Sequence, residues 1–478
     1  MNSAVVISEL IEAIGDSHVL HGDTDRARYE TDQTLVYHGR TLAVVRPSTT
    51  DEVSKLMTIA HRHGVPVVPV GGNTGLSGGT WMGDTGDRLG LSLERMNRIR
   101  AIKSDARVAI VEAGVVLQTL HEAVAEHDLV FPLLFGARGS CTLGGNLSTN
   151  AGGSNVLRYG NTRALCLGLE VVLADGRVLD ILTELHKDNT GYALKDLFIG
   201  AEGTLGIITA ACVKLFPKPS EYHTAFLGFD TLSDALALLN RLQRATGGAV
   251  EAFEYMSPNY FDALATVKPE LSQPLDAPAP VNVLLEVAEG AADGNNAPRL
   301  ATVFEETLGD ALESGALGDA VIAQNEAQRA NMWAIRESAY EVSQHRRPYL
   351  NCDICLPLDS VAKYLDDMQA ELPTLAPGAE SETVSHLGDG NLHFVVWLDQ
   401  TENPDDPTLK DRLMQAVEKR VSEYGGSFSA EHGIGVSKLP SMRRLKNPVA
   451  LDVMAHVKAA LDPMNIMNPG KVLPDAGQ

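Results

Sequence analysis

An α+β chain of two or three domains is predicted by three observations: its length, the crowding of glycine-rich segments into its first half, and a change of texture near residue 219. At 478 residues the chain is longer than a single hydrophobic core supports, since cores stop growing at about 250–300 residues. The first third reads as α/β. EVSKLMTIAHRHG has helical periodicity, VPVVPV is a short apolar strand, and a glycine-rich loop follows at once.

Next come RVAIVEAGVV, a strand, and LQTLHEAVAEHD, a helix; a second glycine-rich stretch then runs from Gly136 to Gly160. LGLEVVLADGRVLDI is expected to form a hairpin turning at Asp175-Gly176. A third glycine cluster, IGAEGTLGIITAACVKLFPKP, closes this region. From about Ser220 to Tyr424, strand-like runs (TAFLGF, VNVLLEV, HFVVWL) alternate with amphipathic helices such as LSDALALLNRLQRA and LKDRLMQAVEKRVSEYGG. LSQPLDAPAP and EGAADGNNAP read as surface loops. The last fifty residues hold SAEHGIG, the helical PVALDVMAHVKAAL and DPMNIMNPGKVLP, whose glycine motifs are like those of the first region, so the chain is expected to return there.

Composition excludes several classes of function. The hydrophobic fraction is 44% with 21% charged residues, and no apolar run approaches the roughly 18 residues of a membrane helix. The net charge of −23, from 39 basic and 62 acidic residues, argues against nucleic acid as a partner. The start, MNSAVVISELIEAIGDS, has neither a signal-peptide nor a transit-peptide pattern, and five cysteines without a framework of spacings point to a reducing compartment; a cytoplasmic protein is expected. Cys352 and Cys355 form a CxxC, but LNCDICLPL reads as an extended run ending at Pro357 and lacks the second ligand cluster or helix start of a redox or zinc motif.

Glycine turns let backbone N–H groups converge on an oxyanion, because no side chain blocks the approach. Gly71-Gly72-Asn73-Thr74-Gly75-Leu76-Ser77-Gly78-Gly79, directly after a strand, is therefore a candidate pyrophosphate cradle, with a tight surface loop as the alternative. No GxGxxG follows a strand, and the only Gly-Lys, Gly470-Lys471, precedes Val472, so neither a Rossmann nucleotide site nor a P-loop is supported. The segment from Gly136 to Gly153 carries many small residues and side-chain donors, and each glycine adds to the entropy lost on folding; a large polar cofactor lying on the backbone would account for it.

PVGGNTGLSGG, GSCTLGGNLSTNAGG, KDNTGYALKDLFIGAEGTLGIIT, HLGDGNLH, SAEHGIG and NPGK, in this order, resemble the FAD-linked oxidases of the vanillyl-alcohol oxidase / p-cresol methylhydroxylase superfamily. Within it the D-2-hydroxyglutarate dehydrogenase and D-lactate dehydrogenase branch, with the glycolate oxidase D subunit, looks nearest. The resemblance covers nearly the whole chain. It implies a two-part α/β FAD-binding domain at 1–218 (subdomains about 1–112 and 113–218), an α+β substrate or cap domain with an antiparallel sheet at 219–425, and a segment at 426–478 that packs back on the FAD domain and completes the active site.

Carried over residue by residue, the resemblance puts the pyrophosphate at Gly71, Gly72, Asn73, Thr74 and Gly75, beside Pro69 and Ser77. Ser140, Thr142, Gly144, Gly145, Asn146, Thr149 and Gly152 would line the flavin and its ribityl chain, with Gly139 and Gly153 adjoining. Glu202, Gly206 and Ile207 would line the adenine side, and Asn468 of NPGK completes the set. Relatives that attach flavin covalently through the first loop carry His where Asn73 stands, which implies non-covalent FAD.

His386-Leu-Gly-Asp-Gly-Asn-Leu-His393 cannot be one helix, since its glycines and Asp-Gly favour a turn between ETVSHL and NLHFVVWL. Alternation puts Asn391, His393 and Val395 on one face of the second run. Two histidines and a carboxylate suit zinc or manganese with positions left open for substrate; satisfied polar residues in a turn are the alternative, and the resemblance favours His386, His393 and Glu431 as ligands. If SAEHGIG is extended, Glu431 and His432 point to opposite faces, one a metal ligand and the other a separate base. Oxidation of a 2-hydroxy acid needs the hydroxyl proton removed as hydride leaves Cα, a task suited to histidine, and His432 is the expected base, with Asn391 beside the ligands.

In ANMWAIRESAYEVSQHRR, read as one helix, Trp333, Arg336 and Tyr340 share a face. Arg336 matches the family's carboxylate clamp, against the alternative of an exposed ion pair. Hydroxyglutarate-specific relatives carry a lysine where this chain has Asn351, and Tyr340 replaces a small hydroxyl residue, so a lactate-like monocarboxylate is the competing substrate unless His345, Arg346 or Arg347 supplies the lost cation. The electron acceptor implied is an electron-transfer flavoprotein, a quinone or a cytochrome, and a homodimer is compatible with the pattern. Two other readings are a non-redox transferase of the alkylglycerone-phosphate synthase type and a non-catalytic flavoprotein subunit; the complete set of His386, His393, Glu431 and His432 disfavours both.

Overall fold

The computed structural model describes residues 2–290, 300–399 and 406–474. Of the surface loop expected at 289–298, residues 291–298 lie outside the described residues. The predicted helix EVSKLMTIAHRHG is Thr50–His63, started by Thr49, whose side chain accepts from the Glu52 N–H, and stopped by Gly64 in the left-handed region at φ 63°. Its apolar stripe, Val53, Leu56, Met57 and Ala60, is buried. This helix connects two strands of a four-stranded sheet ordered Val19–Leu20, Ala43–Val45, Leu89–Ser92, Val67–Val70, in which the last three strands are parallel. The first glycine loop thus leaves the carboxyl end of a parallel strand, where open α/β sheets bind their ligands.

A second sheet of five antiparallel strands follows, ordered Ile99–Lys103, Val108–Glu112, Ile207–Lys214, Cys166–Val172, Val178–Ile181. The expected hairpin is its edge, Val172 facing Val178 with Gly176 at φ 88° in the turn. Because Ile99–Lys103 and Val108–Glu112 pair inside this sheet, the first sheet closes at Ser92, ahead of the subdivision expected near 112. One apolar core runs beneath both sheets, from Val6 to Leu215, and takes in Ile466 and Met467 from the far end of the chain. The return is hydrogen-bonded: the Val67 N–H donates to the Ile466 carbonyl at 2.7 Å and the Asn468 N–H to the Val67 carbonyl at 2.8 Å.

The remaining region is built on seven antiparallel strands, ordered Asp319–Ile322, Glu221–Phe229, Val281–Glu289, Val250–Met256, Glu380–His386, Asn391–Trp397, Tyr349–Cys355. Period-two alternation sorts its side chains. Leu350, Cys352, Ile354, Leu392, Phe394 and Val396 face a core roofed by the helices Leu232–Ala245, Leu300–Glu313, Val361–Leu375 and Leu409–Glu423. On the other face Val384, Val395 and Trp397 meet Tyr260, Met332, Trp333 and Val342. The run expected as one helix through Arg336 is two, Glu326–Glu337 and Ala339–Ser343, interrupted at Ser338, whose hydroxyl bonds back to the Ala334 carbonyl. Cys352 and Cys355 are free thiols on opposite faces of the strand Tyr349–Cys355, and burial pushes them up to about 12 and about 11. No helix of the described residues is long and apolar enough to cross a membrane.

Candidate functional site

A cavity of about 810 Å³ opens between the glycine loops and the polar face of the seven-stranded sheet. The first two loops interlock. A Cβ on Gly72 would stand 2.1 Å from the Ser140 carbonyl oxygen, an approach only glycine permits. From the expected cofactor set, Pro69, Gly71, Gly72, Asn73, Thr74, Gly75, Ser77, Ser140, Thr142, Gly144, Gly145, Asn146, Thr149, Gly152, Glu202, Gly206 and Ile207 line it.

Gly153 and Asn468 are buried behind the wall, and Gly139 is exposed outside it. Gly139 ends the short turn Gly136–Gly139. Gly153, at φ 129°, lies against the Leu134 carbonyl, and the Asn468 amide donates to the carbonyls of Gly79 and Glu202. Two lining residues use their side chains on the protein. The Ser77 hydroxyl donates to the His432 carbonyl at 3.0 Å, and the Glu202 carboxylate accepts from the N–H groups of Ile434 and Gly435 at 2.7 and 2.8 Å, its pKa raised by burial. Both residues therefore tie the glycine loops to SAEHGIG. The Asn73 side chain is engaged as well, by the Thr31 carbonyl and the Thr80 hydroxyl.

The cavity fits a large polar cofactor. Thr142 Oγ1 and Asn146 Nδ2 are buried without a hydrogen-bond partner beside it, and Asn468 Oδ1 is likewise unpartnered behind the wall. Such atoms cost about 1–3 kcal/mol each unless something satisfies them. Three of them around one glycine-lined cleft suit a ligand rich in donors and acceptors.

On the sheet side the expected hairpin forms, Glu380–His386 against Asn391–Trp397, with Gly390 at φ 81° in the turn. It brings His386 and His393 together with ring centroids 5.6 Å apart. Glu431 Oε1 lies 3.5 Å from His393 Nε2, 3.9 Å from His386 Nε2 and 4.0 Å from His432 Nε2. The opposite-face expectation for Glu431 and His432 is overturned, because the segment bends instead of running extended. Its cause is Asp353, 2% exposed, whose Oδ2 accepts from three successive N–H groups, Ala430, Glu431 and His432, at 3.2, 3.1 and 2.9 Å. His432 consequently joins the cluster, its ring stacked on His393 at 5.5 Å.

The electrostatics favour metal ligation. Burial, with His432 and His386 nearby, holds His393 well below the ordinary imidazole range, so its ring is neutral and free to coordinate. Burial opposes a charge on His386, but the Glu254 carboxylate, 2.8 Å from Nδ1, outweighs it and raises the pKa. A carboxylate on Nδ1 fixes the tautomer, and Nε2 then faces Glu431, with Arg336 Nη2 3.4 Å away. Burial likewise works to raise Asp353, yet His432, Lys438 and His393 hold it far below the usual carboxylate range. Lys438 and the Asn391 amide are also bonded to Asp353, which stands with His393, Glu431 and His432 in a group whose ligand atoms all lie within 4.8 Å of one another. Asn391, expected among the catalytic residues, does not line the cavity: its amide donates to Asp353 and to the Ile354 carbonyl.

Arg336 is 8% exposed and lines the cavity, so the exposed ion pair is excluded. Its Nε donates to Glu254 at 2.7 Å and its Nη2 lies 3.4 Å from both ring nitrogens of His386, leaving Nη1 for an anion. Tyr340 lines the rim and is 45% exposed. Sequence reasoning missed Asp353, Glu254 and Glu382, the last also lining the cavity. The available signal for Asp353 and Glu254 was an acidic residue inside an apolar strand, in CDIC and AFEYM, since buried carboxylates need partners; Glu382, in the polar run SETVS, carried none.

Residues 218–472 match the family described as FAD linked oxidases, C-terminal domain, and residues 41–182 the FAD binding domain. The chain is 39% identical over 441 residues to the mitochondrial D-2-hydroxyglutarate dehydrogenase of Bos taurus, covering 91% of this chain and 77% of that one. It is 33% identical over 475 residues to the D-2-hydroxyglutarate dehydrogenase of Stutzerimonas stutzeri, covering 99% of each. Its fold is that of p-cresol methylhydroxylase solved with substrate bound, TM-score 0.74 at 17% identity over 99% of this chain and 97% of that one.

Proposed function

The chain belongs to the FAD-linked oxidases, and from that premise we propose that it oxidises a D-2-hydroxy acid to the 2-oxo acid with non-covalent FAD and a divalent metal, zinc or manganese. The observation that carries this reading is the convergence of three histidine Nε2 atoms within 3.5–4.0 Å of Glu431 Oε1 on the cavity wall that faces the glycine loops. The names of the relatives support an acid of the 2-hydroxyglutarate type.

Bound FAD supplies the hydride acceptor. His386, His393 and Glu431 would hold a divalent cation, which would supply Lewis acidity for the substrate hydroxyl. The chain's own groups do the rest. Arg336 binds the α-carboxylate and His432 takes the hydroxyl proton as hydride leaves Cα, so two electrons and two hydrogens depart in all. Glu254 braces both Arg336 and His386, and Asp353, with Asn391 behind it, keeps Glu431 and His432 on one side. Asn73, already hydrogen-bonded and without a nucleophilic atom, supports non-covalent flavin.

In this reading residues 1–218 hold the flavin, 219–425 hold the acid and 426–478 close the site. Tyr340 stands at the entrance. Electrons leave to a separate acceptor, an electron-transfer flavoprotein or a quinone. Five free thiols fit a reducing, cytoplasmic setting. The test is anaerobic: the yellow protein should bleach with a D-2-hydroxy acid and not with its L enantiomer, and chelation should abolish bleaching while the flavin stays bound. Oxidised flavin persisting across a broad panel of D-2-hydroxy acids with metal added would refute the proposal.

A further inference from the structure

Two rungs along the sheet from the histidines the cavity wall changes character. Glu382, Val395 and Asn351 form one cross-strand row, Glu382 opposite Val395 and Val395 opposite Asn351, and all three line the cavity. The next row, Val384, His393 and Asp353, carries the reacting end. Two residues of strand separate them, roughly 7 Å, the reach of a short acid whose α-carboxylate and hydroxyl lie at Arg336 and His393.

Glu382 is 2% exposed, and its Oε2 is buried without a hydrogen-bond partner. A folded protein rarely leaves a carboxylate oxygen so, because the lost hydration is not replaced. Burial, only partly countered by Arg336, pushes the carboxyl up to about 8. Asn351 adds an amide, both donor and acceptor, from two strands away, about 10 Å across the sheet. Among these three residues there is no cation.

We propose that this far end recognises a nitrogen-bearing terminus that donates N–H hydrogen bonds, so that the preferred substrate is a D-2-hydroxy acid ending in a carboxamide or an ammonium group and not in a second carboxylate. The inference rests on the dehydrogenase reading above. An N–H group over Val395 gives Glu382 the donor it lacks, and an amide carbonyl accepts from Asn351. A second carboxylate brings no donor of its own, so it can pair with Glu382 only through the proton that Glu382 itself carries, whereas an N–H terminus pairs with either form. A lactate-like acid does not reach the row.

The test is single-turnover flavin reduction by the metal-loaded holoenzyme with three five-carbon D-2-hydroxy acids that differ only at the last carbon: carboxylate, carboxamide and aminomethyl. The carboxamide or the amine should exceed the dicarboxylate at least tenfold in reduction rate over Kd, and comparing those two shows which terminus is meant. Glu382→Gln should shrink that ratio at least fivefold. Asn351→Lys, at an exposed position where folding is not at stake, should reverse it toward the dicarboxylate. A wild-type preference for the dicarboxylate or for lactate overturns the inference, as does a ratio unmoved by both variants; the dehydrogenase reading survives these. No reduction by any of the acids fails both.

Discussion

Along the glycine-loop wall of the cavity, residues 69–80 and 140–152 contain no acidic or basic side chain; along the sheet wall Glu254, Arg336, His386, His393, Asp353, Glu431 and His432 hold one another within a few ångströms. The first wall works by closeness of backbone, the second by mutual charge. A change in the first wall should therefore act through sterics and cost flavin, whereas one in the second should act through a stranded partner and cost chemistry.

The largest effect is expected at His432. His432→Ala should slow flavin reduction by roughly 10²- to 10⁴-fold with the visible flavin spectrum intact, measured by anaerobic stopped flow. Loss of flavin in this variant would break the division between the walls. Asp353→Asn comes next. It removes the charge on which three N–H groups and Lys438 converge, and metal affinity should fall about 10- to 100-fold while FAD stays stoichiometric, read by metal analysis against the 450 nm band.

Gly72→Ala tests the opposite wall. Its Cβ meets the Ser140 carbonyl, and overpacking of about 1–3 kcal/mol should lower both Tm and flavin occupancy while metal content per folded protein is kept. The smallest effect is a pH slope. Glu382, raised by burial to about 8 against an ordinary value near 4.5, binds more protons folded than unfolded between those limits, so its contribution to stability falls as pH rises through that window. Glu382→Gln lacks the slope, and its Tm relative to the parent should climb from pH 5 to pH 8; a constant difference would place the Glu382 carboxyl in ordinary solvent.

Legibility in the sequence divides along the same line. The glycine loops, the hairpin at HLGDGNLH and the alternation that sets His393 opposite to Phe394 are local patterns, readable because a turn or a pleat is decided by neighbours in sequence. The partners of Arg336 and His432 were not readable. Glu254 lies 82 residues from Arg336 and Asp353 lies 79 from His432, and no periodicity links residues so far apart. The expectation for Glu431 and His432 failed for that reason: an isolated extended segment alternates, but this one bends around a buried carboxylate from another strand. Asn391 was placed on the correct strand face beside the ligands, where it stands opposite His386, but its amide turns to Asp353 and away from the cavity.

By itself the sequence determined an α/β first region followed by an α+β one and the glycine loops against which a flavin can lie, because close backbone approach and strand alternation are written in short stretches of chain, whereas His386, His393 and Glu431 were singled out as candidate ligands by the resemblance to the FAD-linked oxidases. Only the tertiary structure decided which carboxylates brace those ligands, that His432 stands with them, and that the far end of the cavity carries an unpartnered Glu382. Those outcomes depend on which distant charges are buried together, and burial is a property of the packed molecule.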